Sequence, residues 1–138
     1  MIISVIDLAF RNNIKTKEDE YISKIIEIIS KIANRKWNVL LMGFCENEMD
    51  HIGIQKVLNK FPENLKSNIM VHMHKNINES IEIFAKSKSV IATRFHSFIL
   101  AYIMNKPMYN IYYGMKTKNA IVYGNIKVDS IATKILEA

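Results

Sequence analysis

The stretch Ser89-Val90-Ile91-Ala92-Thr93-Arg94-Phe95-His96-Ser97-Phe98-Ile99-Leu100-Ala101 changes character at its centre. Its first residues, Ser89–Ala92, are small or β-branched and mostly apolar, the composition of a short strand buried on both faces. From Phe95 to Met104 the chain is compact and apolar enough for a buried helix, which Asn105-Lys106-Pro107 closes. Thr93-Arg94 therefore falls at a strand-to-helix junction. A strand passing directly into a helix is the repeating unit of a parallel sheet.

The same alternation extends in both directions. Ile2–Ile6 reads as a first strand, Asn38–Met42 as a second, Ile69–Met73 as a third and Met108–Tyr112 as a fifth. Between the first two, Tyr21, Ile22, Ile25, Ile26, Ile28, Ile29, Ile32 and Ala33 form a helical stripe. Thr16 and Asp19 loosely resemble a capping box at its start. Glu46 to Lys60 reads as one helix ended by Pro62, with Ile52, Ile54, Val57, Leu58 and Phe61 as its apolar contacts. Asn78 is the expected N-cap of a helix through about Lys86, with Ile81, Phe84 and Ala85 inward. A last helix is expected from Asp129 to Leu136. Five strands in this pattern predict an α/β fold, an open parallel Rossmann-like sheet of order 3-2-1-4-5, with right-handed crossovers and helices on both faces.

The chain's 138 residues suit a single domain, 1–138, with one ordinary core. Apolar residues make up 49% and charged residues 23%, which excludes a disordered chain. The net charge of +6 suits an anionic partner without choosing among phosphate, nucleic acid and acidic glycan, and the basic residues are scattered enough to be simply a solvated surface. Cys45 is the sole cysteine, so no intrachain disulfide can form, which fits a reducing cytoplasm. Met1–Ile6 is too short for a secretion signal or a membrane span. The wealth of Ile, Lys and Asn suggests an AT-rich bacterial genome. There is no P-loop and no GxGxxG. Aromatic and basic residues do not interleave, so nucleic acid is not an expected partner.

In open α/β sheets, ligands bind beyond the carboxyl ends of the strands where strand order reverses. For order 3-2-1-4-5 that crevice lies between the first and fourth strands. Asp7 and Arg11 follow the first, Thr93, Arg94 and His96 follow the fourth, and the fifth ends at Tyr112-Tyr113-Gly114 with Lys116 just beyond. The start of the helix near Phe95 carries unsatisfied N–H groups and the positive end of a dipole, which favour phosphate or carboxylate. Arg94 adds a bidentate fork, and His96 can act as acid or base near neutrality. The sequence expectation is that the two project into a shared electropositive pocket. Each residue has a plainer reading: Arg94 paired to a carboxylate, His96 packed on Phe95 or Phe98, Lys116 a solvated lysine, and the tyrosines packing groups. Convergence on one rim is what favours function. His72 and His74 share a strand face, but no clear third ligand accompanies them, so no metal site is expected. Cys45 follows a strand without an evident histidine partner and reads as an idle thiol.

Ser89–Ala101, with its Arg-x-His element Arg94-Phe95-His96, resembles the polysaccharide pyruvyl transferase family. Asn105-Lys106-Pro107 and Tyr113-Gly114-Met115-Lys116 resemble that family's following Asn-x-Pro and Tyr-x-x-Lys elements, and Phe44 and Asp50 stand where members place a Phe-containing strand end and an Asp early in a helix. One departure is Ile6-Asp7, where the family commonly has an Arg; here Arg11 comes several residues later. The resemblance implies the C-terminal half of a two-domain GT-B-like protein, lacking its N-terminal partner domain. It implies transfer from phosphoenolpyruvate, as co-substrate, to a sugar hydroxyl of a bacterial cell-surface exopolysaccharide, without a further cofactor. His96 and Arg94 would be catalytic, and Thr93, Tyr113, Lys116, Arg11 and Lys118 would bind substrate. The expected partners are an anionic small-molecule donor, a glycan acceptor and the missing domain, with self-association compatible and no integral membrane segment. The expected location is the cytoplasm, with peripheral attachment at the inner face of the membrane as a variant. A nucleotide-sugar glycosyltransferase of the same architecture, or a non-catalytic domain keeping the fold, are the alternatives.

Overall fold

The structure is a computed structural model and describes residues 1–10, 17–33 and 37–111. The expected helix over Asp129–Leu136 and the proposed cap at Thr16 lie outside the described residues.

Five parallel strands, β1 (Ile2–Ser4), β2 (Val39–Gly43), β3 (Ile69–Met73), β4 (Val90–Ala92) and β5 (Met108–Asn110), form one sheet of order β3-β2-β1-β4-β5. The predicted α/β class and strand order are both observed. Four α-helices join them: α1 (Glu18–Ala33), α2 (Asp50–Lys60), α3 (Ile77–Lys86) and α4 (Phe95–Ile103). Alternating side chains of the central strands divide between two cores. Ile3, Leu41 and Ile91 join α1 and α2 on one face. Ile2, Met42, Val90 and Ala92 join Phe84 of α3 and Phe98 of α4 on the other. Since successive side chains face opposite cores, both faces had to be apolar, which is why these strands read as unbroken apolar runs.

α1 carries Glu18, Asp19 and Glu20 in its first turn and Lys31 in its last, each favourable to the helix dipole. The expected stripe is buried at Tyr21, Ile22, Ile25, Ile28, Ile29 and Ile32.

The segment expected as one helix over Glu46–Lys60 is instead broken. Glu46–Glu48 is a 3-10 turn, Met49 takes the left-handed conformation at φ 64°, and α2 begins at Asp50. The break sets Asp50 at the helix start. Three residues on, Gly53 faces the backbone after β1: a Cβ there would lie 2.4 Å from the Ile6 carbonyl oxygen. The cap of α3 also differs from expectation. Asn76, not Asn78, is the N-cap, its Oδ1 accepting from the Glu79 amide at 2.9 Å. Ser80, Ile83 and Phe84 pack inward, whereas Ile81 and Ala85 are exposed. α4 closes as predicted at Asn105-Lys106-Pro107. Asn105 is left-handed at φ 53°, and the amides of Asn105 and Lys106 return to the carbonyls of Tyr102 and Ala101, a Schellman closure.

Candidate functional site

The sheet's order reverses between β1 and β4, and three side chains fix the backbone there. Ser4 Oγ, at the end of β1, accepts from the amides of Thr93 (2.6 Å) and Arg94 (3.3 Å). Ser4 is fully buried, so its hydroxyl is matched to donors that water cannot reach. Tyr21 reaches over from α1. Its hydroxyl accepts from the Ile6 amide and shares a 3.3 Å hydrogen bond with the Thr93 hydroxyl. Thr93, expected to bind substrate, is thus buried with its hydroxyl facing Tyr21. Asp7, after β1, is buried too and accepts from Lys56 Nζ at 2.8 Å; Lys56 also reaches Glu18 at 2.7 Å. Burial pulls the Lys56 ammonium down, but hydrogen bonds and charge from Asp7 and Glu18 outweigh it and hold the group above its ordinary range.

Arg94 is only 7% exposed and turns onto carboxylates. Its Nε donates to Asp50 Oδ2 at 3.0 Å, its Nη2 to Asp50 Oδ1, and its Nη1 to Glu48. Asp50 is completely buried, and its Oδ2 also accepts from the amides of Phe44 and Cys45, each at 3.0 Å. One carboxylate thereby ties the end of β2, the start of α2 and the β4–α4 junction together. The expectation of an electropositive surrounding for Arg94 is corrected: two acidic groups meet it. The reason is desolvation, since a guanidinium this deep needs paired charge.

His96, two residues on, is exposed. Its ring lies beside Phe44 (centroids 6.5 Å apart, planes 16° apart) and edge-on to Phe95. Among the described residues its imidazole makes no hydrogen bond. Phe44 stacks as well on His74, with centroids 5.4 Å apart and planes at 23°. His74 and His96 line the same cavity of about 280 Å³, between the start of α3 and the length of α4, together with Phe44, Ile77, Ile99 and Ile103. Arg94 does not line that cavity. Arg11, Tyr113, Lys116 and Lys118, the other expected substrate-binding residues, lie outside the described residues.

The model of the polysaccharide pyruvyl transferase family matches residues 2–115. The chain belongs to that family. The match spans β1 to the far side of β5, and with it both the Arg94-Phe95-His96 element and Asp50. Membership makes this pyruvyl transferase family chain a transferase in its general chemistry. No curated protein and no solved structure matches it at a significant level.

Sequence reasoning missed two partners around this family's Arg-x-His element. Glu48 carried no signal beyond an acidic run, because its meeting with Arg94 depends on the left-handed turn at Met49. His74 reads in the sequence only as a neighbour of His72 on one strand face. Instead His74 bonds Ser80 Oγ at 2.6 Å and His72 lies 3.5 Å from Glu79. Among the described residues no three His, Cys, Asp or Glu side chains are grouped to hold a metal ion, and no helix is long and apolar enough to cross a membrane.

Proposed function

We propose that this chain is the donor-handling half of a polysaccharide pyruvyl transferase, converting phosphoenolpyruvate and a sugar diol into a pyruvate ketal on a cell-surface glycan. The observation that carries this reading is the exposed imidazole of His96, without a hydrogen bond among the described residues, beside a backbone junction locked by Ser4 and by the Asp50–Arg94 pair. A proton-transfer group must be held still yet reachable, and that combination supports the role.

In this reading a sugar hydroxyl adds to C2 of the enol while a proton is delivered to the methylene carbon. His96 takes the hydroxyl proton or supplies the methylene proton. Phosphate then leaves C2, and a second hydroxyl of the same sugar bonds to that carbon and closes the ketal, its proton passing to the departing phosphate. Arg94 acts as a pinned cation beside this chemistry; direct contact with the donor requires Glu48 to yield its place. Thr93 shapes the junction through Tyr21. Lys116 and Lys118, with Tyr113 and Arg11, are proposed to gather the donor's phosphate and carboxylate, because cations near a leaving phosphate stabilise its developing charge. A second Rossmann-like domain is proposed to supply the opposing wall and the acceptor's seat, in a GT-B-like cytoplasmic enzyme that uses no other cofactor.

The test is His96→Ala in the full-length protein, assayed for ketal formation from phosphoenolpyruvate against nucleotide-sugar donors. Loss of ketal formation with an unchanged fold supports the reading. Undiminished transfer rejects it.

A further inference from the structure

We propose that the cavity beneath Phe44 is an anion subsite of the transferase and that His74 is its second imidazole, acting with His96 as a ligand-binding residue. The proposal rests on the reading of His96 given above and extends it to a residue just past the end of β3.

Three observations converge on this cavity. The first is how His74 is held. Its amide donates to the Gly43 carbonyl at 2.8 Å, its ring stacks on Phe44, and its Nδ1 is bonded to the fully buried Ser80 hydroxyl at 2.6 Å. A serine hydroxyl can donate or accept, so Nδ1 is engaged in either tautomer. Nε2 makes no hydrogen bond among the described residues. An imidazole fixed at one nitrogen and unengaged at the other is arranged as histidine ligands commonly are, with the inner bond setting ring orientation.

The second observation is the sign of the surrounding field. The first residues of both α3 and α4, Ile77 and Phe95, line the cavity, so two helix N-termini converge on it. On α4 the amides of His96 and Ser97 donate to nothing among the described residues. Helix starts of this kind favour negative charge, and two of them add to two imidazoles.

The third is the wall. Ile77, Ile99 and Ile103 are apolar, and a cavity of about 280 Å³ suits a molecule of few heavy atoms, below the size range of ordinary cofactor pockets. A small organic anion, with a carboxylate or phosphate for the imidazoles and a hydrocarbon portion for the isoleucines, satisfies all three. Phosphoenolpyruvate has this composition. Apolar walls also lower the local dielectric and so strengthen each contact to the charge.

The experiment uses the full-length protein and phosphoenolpyruvate as probe, with inorganic phosphate as the comparison. The C2 proton signals of His74 and His96 are followed by NMR during titration, which needs no variant. Binding constants are then measured for wild type, H74Q and S80A. Both imidazole signals are expected to move with phosphoenolpyruvate, and H74Q is expected to weaken binding about tenfold or more, the scale of a lost hydrogen bond to a charged group. S80A, which frees the ring while keeping it, is expected to fall between. If the His96 signal moves and H96A abolishes transfer while the His74 signal stays still, the inference is overturned and the transferase reading survives. If both signals move and H74Q weakens binding but ketal formation is absent, the subsite stands without that reading. If neither signal moves, both fall.

Discussion

Asp50 and Arg94, 44 residues apart in sequence, meet as a two-point ion pair whose carboxylate is fully buried. The same Asp50 oxygen that receives Nε also receives two backbone amides from the end of β2. Removing one partner strands the other without water. Asp50→Asn and Arg94→Met are each expected to cost about 3–5 kcal/mol of stability. Denaturant unfolding followed by circular dichroism measures this, and the double substitution should cost clearly less than the two single losses combined. Additive losses would mean the two groups act separately.

Ser4 offers a smaller version of the same dependence. Ser4→Ala leaves the buried amides of Thr93 and Arg94 without their acceptor. The expected loss is about 1–3 kcal/mol. Amide hydrogen exchange at Thr93 should accelerate more than at Ile3, because the damage is local to the junction.

Gly53→Ala sets two effects against each other. Alanine favours an α-helix over glycine by about 1 kcal/mol. The added methyl, however, would sit 2.4 Å from the Ile6 carbonyl oxygen and 2.9 Å from the Asp7 nitrogen, both rigid backbone. Overpacking wins, with a net destabilisation of about 1–3 kcal/mol visible as a lowered melting temperature. A rise in melting temperature would show that α2 can back away from β1.

Lys56 gives a pH dependence with a definite sign. Its folded-state pKa is raised from the ordinary 10.5, with Asp7 and Glu18 overcoming the cost of burial. A raised pKa means that the folded state holds this proton more tightly than the unfolded chain does. Its contribution is therefore complete below about pH 10.5 and fades as pH climbs through the folded value. Melting curves from pH 8 to 12 should show wild type losing its advantage over Lys56→Met in the alkaline range alone. An advantage that instead shrinks toward pH 8 would contradict this assignment.

For His96→Ala, activity of the full-length enzyme is expected to drop by about 10²–10⁴-fold, the usual worth of a positioned acid or base. The melting temperature should hardly change, since the ring is exposed and makes no hydrogen bond among the described residues. Steady-state kinetics and a thermal melt on the same preparation check both halves of the expectation.

The sheet was legible because β1, β2 and β4 are buried on both faces, so continuous apolar runs marked them and the helical stripe of α1 separated the first two. β3 carries the β-branched residues Ile69 and Val71, although Met70 and Val71 are exposed at its edge position. The break at Met49 was not legible, because a non-glycine residue in the left-handed region carries no sequence mark. The cap of α3 was available but missed: Asn76 precedes Glu79 by three residues, a capping-box spacing, and it outcompeted Asn78. Arg94 and His96 were placed correctly at a strand-to-helix junction. Their different fates were not readable, since the burial of Arg94 depends on Glu48 and Asp50 arriving from a separate loop.

The central place of β1 has a consequence for how the protein is made. β1 is hydrogen-bonded on one side to β2 and on the other to β4, and Ser4 finds its amide partner 89 residues later. At a ribosomal rate of about 5–20 residues per second, the nascent chain carries this strand half-zipped for several seconds. During that interval its bare flank is a template for any stray strand, so swapped dimers and chaperone capture should concentrate on the β1–β4 seam.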